Sequence, residues 1–372
     1  MKKIVIDARG FSRTTGRYIR KLIQYLEEIE SNQTGREYLV LLLPDEFEKY
    51  QPKNSKFSKL VANYDHNSFA EQIGFLLFLN KLRADLVHFT MPQQPILYRG
   101  KNVTTIHDLT LLKTFPGNRN KYAYKLKQFV GRLVFRQIAR RSAAIISPTE
   151  YTKSDYLNFL HSSRTDLDEK ITVTYESADV VTTKLMPLPS LVGKEFIMYV
   201  GQQSNYKNLR RLMQSHQQLL NGCPDLLLVF VGKLGEYGEQ SKKWAEQQNF
   251  KNIVFTGFVE SDAQLAWLYK NVEAYVFPSL MEGFGLPALE AMAHGAPVVS
   301  SNATCLPEVY GDAAHYFDPE DVSDMTRAIC EVLEDKKLRE ELIKKGAQQI
   351  KKYSWHRMAE QTLAIYIATL RG

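Results

Sequence analysis

Short apolar runs alternate with amphipathic stretches along the whole 372-residue chain. In the first half, the apolar runs fall at 3–7, 38–43, 85–89, 102–106, 143–147 and 171–174, with helical periodicity near 16–31, 68–82, 119–140 and 149–160. The second half repeats this rhythm, with strands predicted near 196–200, 226–231, 252–256, 274–277, 297–300 and 315–317, and helices near 207–220, 239–249, 262–271, 286–294 and 321–335. Strands that alternate with helices form parallel, doubly wound sheets. The pattern therefore predicts two Rossmann-like α/β domains, each binding its ligands at the carboxyl ends of the strands.

The segment 177–193 has little periodicity and contains Pro187 and Pro189, so it is predicted to link the two domains. The predicted domains then span 1–177 and 192–353. A last amphipathic helix is predicted to begin at Ser354-Trp355.

Composition narrows the class of protein. The chain is 44% apolar and 24% charged, and no apolar run approaches the length of a membrane span. The first residues, MKKIVIDARG, predict a β-strand, because Asp7 and Arg9 interrupt the apolar run too early for a signal peptide. Three scattered cysteines give neither a disulfide framework nor a zinc site. We therefore expect a cytoplasmic protein, with peripheral attachment to the inner face of the membrane as an alternative.

The net charge of +7 is concentrated in one segment. Nine basic residues and no acidic ones lie between Lys113 and Arg141, interleaved with aromatic and aliphatic residues. This pattern is typical of a basic amphipathic helix on an anionic membrane surface. The alternative is an outer helix that packs its apolar side on the sheet and is solvated on the other. No nucleic-acid-binding motif is present, so nucleic acid is not an expected partner.

The most informative segment is FPSLMEGFGLPALEAMAHGAPVV at 277–299. It predicts a strand, a glycine turn and a helix over 286–294, with Glu282 before the turn and Glu290 within the helix. The first N–H groups of a helix lack partners and carry its positive dipole end, so they can receive a phosphate. Glu282 could accept hydrogen bonds from sugar hydroxyls, and Glu290 could reach a ribose. The alternative is an ordinary strand–helix–strand unit with two surface glutamates. The predicted ligand-binding residues of the turn are Gly283, Phe284, Gly285 and Leu286.

This segment resembles the signature of glycosyltransferase family 4, whose members are retaining and use nucleotide sugars. The resemblance continues through Ile6-Asp7-Ala8-Arg9, Gly16-Arg17-Tyr18, Thr105-Ile106-His107-Asp108-Leu109, Tyr199-Val200-Gly201, Tyr206-Lys207-Asn208, Phe255-Thr256-Gly257-Phe258-Val259, Ser300-Ser301-Asn302, Leu306-Pro307-Glu308-Val309, Gly311-Asp312-Ala313-Ala314 and Asp318-Pro319. It implies the GT-B fold, two Rossmann-like doubly wound domains facing across a cleft. It also implies that 1–177 is the acceptor side, that 192–353 binds the nucleotide sugar, and that helix 354–372 packs back on the first domain.

Electrostatic stabilisation of a departing diphosphate is a main requirement of such a transfer. Lys207, in the loop after the strand at 196–200, can supply a point charge, although alone it could be an ordinary surface lysine. Relatives generally carry an arginine just after the loop glycine, where this chain has Gln202. Arg17 and Arg210 are the candidates to replace that charge. By resemblance, Thr256 to Val259, which includes Gly257 and Phe258, lies beside the base.

The first domain contributes two candidate residues. Gly16 precedes a helix and, in the resemblance, its loop approaches a phosphate across the cleft, although it could equally be an ordinary loop glycine. His107 ends a strand and, by resemblance, lies near the donor sugar and the acceptor. It could bond a sugar hydroxyl or use its backbone carbonyl to steady positive charge, or it could be a structural histidine. The acceptor is expected near His107, Pro92-Gln93-Gln94 and the basic helix.

The sequence thus predicts a retaining transferase that moves a hexose-type sugar from a nucleoside diphosphate to a glycan or lipid-linked acceptor. No cofactor or catalytic metal is expected. Asp166-Leu167-Asp168 lies in a polar surface segment and is interpreted as structural. Two other functions remain open, a nucleotide-sugar epimerase and a catalytically degenerate scaffold that binds glycans or nucleotides.

Overall fold

The computed structural model describes residues 1–13, 15–30, 35–66, 68–114, 121–161, 165–180 and 184–372. The chain divides into two compact units. Unit 1 comprises Met1–Leu112, Lys121–Glu176 and Ser354–Gly372. Unit 2 comprises Ser177–Tyr353 together with a short segment that begins at Lys113.

Unit 1 is built on a parallel sheet. Its strands are β1 (Lys2–Asp7), β2 (Arg36–Leu42), β3 (Phe57–Val61), β4 (Leu86–Phe89), β5 (Asn102–Thr105), β6 (Ala144–Ser147) and β7 (Ile171–Val173). They lie in the order β3-β2-β1-β4-β5-β6-β7, so the winding reverses between β1 and β4. The central strands β4 and β5 are buried at every residue, including the polar residues His88, Asn102, Thr104 and Thr105, as expected of a parallel sheet covered on both faces.

Strand β3 escaped the sequence prediction. It pairs with β2 at the edge of the sheet, and its residues Ser58, Lys59, Leu60 and Val61 are wholly or partly exposed. An edge strand buries little, so its sequence, FSKLV, lacks the apolar run that marks the other strands.

Among the described residues of unit 1, seven helices cover this sheet, together with a π-helical turn at Glu71–Phe75 and a 3-10 helix at Pro44–Lys49. The helices are α1 (Gly16–Ile29), α2 (Leu76–Leu82), α3 (Thr110–Lys113), α4 (Lys121–Arg141), α5 (Glu150–Phe159), α6 (Thr165–Lys170) and the C-terminal helix, Trp355–Arg371. In the C-terminal helix, the Tyr366 hydroxyl lies 2.6 Å from His88 Nδ1 of β4, so this last element belongs to the core of unit 1.

In the described part of unit 2, the architecture is repeated with six parallel strands. They are β8 (Phe196–Val200), β9 (Leu227–Val231), β10 (Ile253–Gly257), β11 (Ala274–Phe277), β12 (Val298–Ser301) and β13 (Ala314–Phe317). Their order is β10-β9-β8-β11-β12-β13, the doubly wound arrangement, in which the strand order reverses between β8 and β11. Two α/β units with parallel sheets confirm the predicted fold class.

The helices of unit 2 are α7 (Leu209–Leu219), α8 (Gly235–Gln247), α9 (Asp262–Asn271), α10 (Leu286–Ala293), α11 (Leu306–Tyr310), α12 (Val322–Glu334) and α13 (Lys336–Gln349). The C-terminal helix of unit 1 is α14. The sequence pattern missed α11 and α13. The segment Lys336–Gln349 is rich in lysine and glutamate, and only Leu342, Gly346 and Gln349 are buried, so its apolar stripe is narrow. Within the described residues, no helix is both long enough and apolar enough to cross a bilayer.

Candidate functional site

The loops that follow β8 and β11 meet at the point where the strand order of unit 2 reverses. Ligands of open parallel sheets bind in the crevice beside such a reversal. The β8 loop leads through Gly201 to Lys207, and the β11 loop carries Glu282. A backbone hydrogen bond from Leu280 N–H to the Tyr206 carbonyl, 2.8 Å long, ties the two loops together.

Lys207 and Glu282, predicted separately as ligand-binding residues, form an ion pair. Lys207 Nζ donates to Glu282 Oε1 at 2.5 Å, and the two side chains are only 12% and 13% exposed. The Lys207 ammonium also lies 5.0 Å from the Tyr206 ring centroid and 5.4 Å from that of Phe277. The site therefore holds a shielded positive charge beside a shielded negative one.

The charge on Lys207 is fixed by this environment. Burial alone would lower the pKa of the ammonium. The negative charge of Glu282, with smaller contributions from Tyr206 and Tyr199, outweighs burial and raises the pKa of Lys207 above its ordinary value. Lys207 is therefore a permanent cation near neutral pH, suited to binding a diphosphate as a point charge.

Three neighbouring strands of unit 2 end at a glycine with a positive φ angle or directly before one: Gly201 (147°) follows β8, Gly232 (136°) follows β9, and Gly257 (72°) ends β10. At Gly232, a Cβ atom would lie 2.4 Å from the Gly201 carbonyl oxygen, so the two strand ends can approach only without a side chain. Gly257 was predicted from the sequence, whereas Gly232 was missed. The signal was present, since Gly232 directly follows the apolar run at 226–231.

Gly285 positions the start of α10. Its φ is 89°, and a Cβ atom would lie 2.1 Å from the Tyr310 hydroxyl oxygen. That hydroxyl donates a 2.6 Å hydrogen bond to the Gly285 carbonyl, which fixes the conformation of the turn. Leu286 then opens α10, with Pro287 in the first turn, where a missing N–H is tolerated. The predicted glycine turn and helix start are both present.

The neighbouring predicted residues differ in what they can offer a ligand. Gly283 precedes Phe284, whose side chain is buried and packs edge-to-face on Tyr353 at 5.6 Å, so the turn can present the backbone of Phe284 but not its ring. Glu290 lies in α10 and is 7% exposed, and its Oε2 is 3.5 Å from the Tyr269 hydroxyl. The Glu290 carboxylate is therefore almost fully buried within unit 2.

At the other side of the β8 loop, Gln202 is exposed. Its backbone carbonyl accepts a 3.1 Å hydrogen bond from the Tyr199 hydroxyl. Phe258, after β10, is 61% exposed, and Lys233 Nζ lies 5.4 Å from its ring centroid. Lys233 follows Gly232 and was not named by the sequence analysis. An exposed ring beside a cation is a surface on which a base can stack.

Arg210, one candidate to replace the missing arginine, is held by aromatic side chains. Its guanidinium carbon lies 5.3 Å from the Trp244 ring centroid and 5.7 Å from that of Tyr237. Arg17, the other candidate, belongs to α1 of unit 1.

In unit 1, His107 follows β5 and is enclosed by acceptors. Its Nε2 lies 2.9 Å from the Thr90 carbonyl oxygen, and its Nδ1 lies 3.3 Å from Glu176 Oε1. Its ring packs edge-to-face with the Tyr18 ring, with 4.8 Å between the ring centroids. Because both ring nitrogens face oxygen acceptors, the imidazolium form satisfies both contacts. Glu176, the last residue of unit 1 before the linker, was not named by the sequence analysis.

Opposing effects act on the His107 charge. Burial lowers the pKa of the imidazole, whereas the hydrogen bond and negative charge of Glu176, aided by the Thr90 carbonyl and by Asp108, raise it. The net result is a pKa above the ordinary value of 6.5. His88 behaves in the opposite way, because complete burial lowers its pKa to about 3 and leaves it a neutral member of the core.

Gly16 is the first residue of α1. A Cβ atom there would lie 2.2 Å from the Phe11 carbonyl oxygen, so the tight loop before α1 requires glycine. The Gly16 N–H donates to the Arg13 carbonyl at 2.8 Å. This glycine therefore shapes the loop at the carboxyl end of β1.

No group of three or more His, Cys, Asp or Glu side chains that could hold a metal occurs in the part of the chain that the structure describes. The acidic pair at 166–168 falls in α6, where Asp168 lies 3.1 Å from Lys153 and Leu167 packs in the core of unit 1.

Comparison with known proteins places these features in a family. Residues 186–349 match the family model described as glycosyl transferases group 1. The chain is 30% identical over 286 residues to O-antigen chain mannosyltransferase B of Escherichia coli, covering 71% of this chain and 69% of that protein. It is 32% identical over 331 residues to the serotype-specific mannosyltransferase WbdA of Escherichia coli, covering 86% of this chain but only 39% of WbdA.

The fold is also shared with a solved structure. Sucrose-phosphate synthase from Thermosynechococcus elongatus superposes with a TM-score of 0.76 over 99% of both chains, at 17% identity. At that identity the likeness concerns the fold alone.

Proposed function

Because this chain belongs to the glycosyl transferases group 1 family and is a glycosyltransferase, we propose that it moves a hexose from a nucleoside diphosphate to a glycan or lipid-linked acceptor. The mannosyltransferase relatives support mannose as that hexose and cell-surface polysaccharide synthesis as the setting. We further propose that the chain is a member of glycosyltransferase family 4 and that the transfer retains configuration at the sugar carbon, as in the family that the 277–299 segment resembles.

The Lys207–Glu282 pair at the strand reversal is the observation that carries this proposal. A nucleoside-diphosphate sugar offers an anion to Lys207 and hydroxyl donors to Glu282. When the donor binds, Lys207 turns to the diphosphate while Glu282 accepts hydrogen bonds from the sugar. The ion pair between the two side chains is thus replaced by two charge-assisted interactions with the ligand, one to the diphosphate and one to the sugar hydroxyls.

Other groups of unit 2 complete the donor site in this proposal. The first N–H groups of α10, at Gly285 and Leu286, bind the diphosphate. Glu290 accepts a hydrogen bond from the ribose, and the chain after β10, at Gly257 and Phe258, lies beside the base. Because charge develops on the diphosphate as the sugar departs, Lys207 and the α10 amides stabilise the transition state more than the ground state.

We propose that the chemistry needs no cofactor, no catalytic metal and no protein nucleophile. The bond between the sugar carbon and the diphosphate oxygen breaks as the acceptor oxygen attacks the same face of the sugar. The leaving phosphate oxygen takes the acceptor proton. The protein supplies positive charge and orientation, through Lys207 and the start of α10.

The acceptor, in this proposal, binds mainly to unit 1, near His107. The His107 side chain already satisfies both of its ring nitrogens with Thr90 and Glu176. We therefore favour the role in which the His107 backbone carbonyl steadies positive charge on the sugar over the role in which its side chain bonds a sugar hydroxyl.

The first test is thermal stabilisation by UDP, GDP, ADP and their hexose forms. A ligand at a hundred times its dissociation constant adds about 2.7 kcal/mol to the unfolding free energy. We expect a shift with one base, which then fixes the donor for a transfer assay that follows the anomeric configuration of the product. The absence of any shift would contradict the donor site.

The second test separates an enzyme from a binding scaffold. Glu282→Ala should abolish transfer while nucleotide stabilisation persists. Glu273→Ala is the matched control, since Glu273 also pairs with a basic side chain of unit 2, Arg339, but its side chain is more exposed, at 34%. Turnover of the donor without an acceptor would instead indicate an epimerase.

A further inference from the structure

Helix α4 has two apolar faces, of which only one belongs to the core. On its inner side, Val134, Phe135 and Ile138 are at least 91% buried and pack with Ile106 and Ile145 of the sheet. This face satisfies the ordinary requirement of a helix that covers a sheet.

The second apolar face points away from the core. Leu126 is 64% exposed, Phe129 56%, Val130 40% and Leu133 41%. At 3.6 residues per turn, Leu126, Phe129 and Leu133 fall within about 60° of one another around the helix. They form a continuous outer stripe, larger than the single exposed apolar residues normal on a soluble protein.

A row of basic residues borders this outer stripe. Lys125, Arg132 and Arg136 are all exposed and fall within about 40° of one another, directly beside the stripe. Helix α4 as a whole has seven basic residues and no acidic ones among its 21 positions. The helix therefore presents hydrocarbon and positive charge side by side on one surface.

We propose that the outer face of α4 docks unit 1 on an anionic lipid bilayer. The apolar stripe enters the boundary between headgroups and acyl chains, and the basic row contacts the negatively charged headgroups. Charge complementarity selects this occupant, because α4 presents seven basic and no acidic residues, so an anionic lipid surface meets only opposite charge along the whole helix. The proposal does not depend on the transfer chemistry.

Vesicle co-sedimentation tests it, with the full chain and without any donor or acceptor. Vesicles contain either phosphatidylcholine with phosphatidylglycerol or phosphatidylcholine alone. We expect binding to the first kind, weakened by added salt, and little binding to the second.

Two double variants separate the two parts of the surface. Arg132→Gln with Arg136→Gln should weaken binding about 25-fold, since each basic side chain near the membrane contributes about fivefold. Leu126→Ser with Phe129→Ser should weaken it about tenfold or more. All four side chains are exposed, so the melting temperature should change little, which circular dichroism would verify.

Val192→Ser and Lys336→Gln are the matched controls. Val192 is an apolar residue of unit 2 that is 56% exposed, and the Lys336 side chain is 82% exposed. Both controls should bind vesicles like the original protein. Equal binding to both kinds of vesicle, or no binding to either, would overturn the proposal. The proposal would also be overturned if the protein self-associated without binding vesicles and the Leu126 and Phe129 substitutions abolished that self-association. A second copy of the chain would then be the occupant of this surface.

Discussion

Removing the charge of Glu282 should cost stability as well as activity, because Lys207 would be left shielded and without its counter-charge. Glu282→Gln keeps the size of the side chain and removes only its negative charge. Breaking a fully buried ion pair from one side costs about 3–5 kcal/mol. Since both side chains retain 12–13% exposure, we expect about 2–3 kcal/mol here, or a fall in melting temperature of about 5–10 °C.

The matching second substitution distinguishes this mechanism from simple loss of packing. Lys207→Met removes the cation that Glu282→Gln leaves without a counter-charge. The double variant should therefore be more stable than the sum of the single effects predicts, by at least about 1 kcal/mol. Transfer activity should be lost in both single variants and in the double variant. The double variant would therefore regain part of the lost stability without regaining activity.

Calorimetry and urea unfolding provide the measurement, with the Arg339–Glu273 pair as the control. Its side chains are 26% and 34% exposed, so Glu273→Gln should cost less than about 1 kcal/mol. If Glu282→Gln were no more costly than this control, or if the two substitutions at the buried pair were simply additive, the reasoning would be refuted.

Two further predictions concern residues that the structure identified. Glu176→Gln should lower the pKa of His107 in an NMR titration. Because the folded-state pKa of His107 lies above 6.5, its ionic stabilisation is fully present below 6.5 and is lost as pH rises through the folded pKa, so the variant should lose this pH dependence of unfolding. Gly232→Ala should destabilise the protein by about 1–3 kcal/mol in urea, since the new Cβ meets the Gly201 carbonyl at 2.4 Å. Gly235→Ala has a positive φ but no atom within 4 Å, so it should cost only the backbone strain, about 1 kcal/mol.

The sequence was sufficient to predict the fold class because parallel strands buried on both faces leave continuous apolar runs. Where burial is slight, as in β3 and α13, this signal disappears and the elements were missed. The glycine turn before α10 was predictable for a different reason. Gly285 must adopt a positive φ under the Tyr310 hydroxyl, and such a constraint leaves glycine in the sequence.

The pairing of charges was not predictable in the same way. Lys207 and Glu282 are 75 positions apart, and the strand order of the sheet brings them together. His107 and Glu176 meet because β5 and β7 end at the same edge of unit 1. Periodicity reports which faces are buried but not which strand ends are neighbours.

The two ion pairs share a physical cause. A shielded charge without a partner is costly, so a site built to bind a charged ligand needs an internal counter-charge while it is empty. Lys207 meets this condition with Glu282, which in the proposed function also binds the sugar, so the counter-charge would be useful in both states. The buried His107 side chain likewise has a counter-charge, Glu176, at the last residue of unit 1 before the linker. A charged residue predicted from sequence to bind a ligand therefore implies a second, oppositely charged residue nearby, and only the fold shows which residue that is.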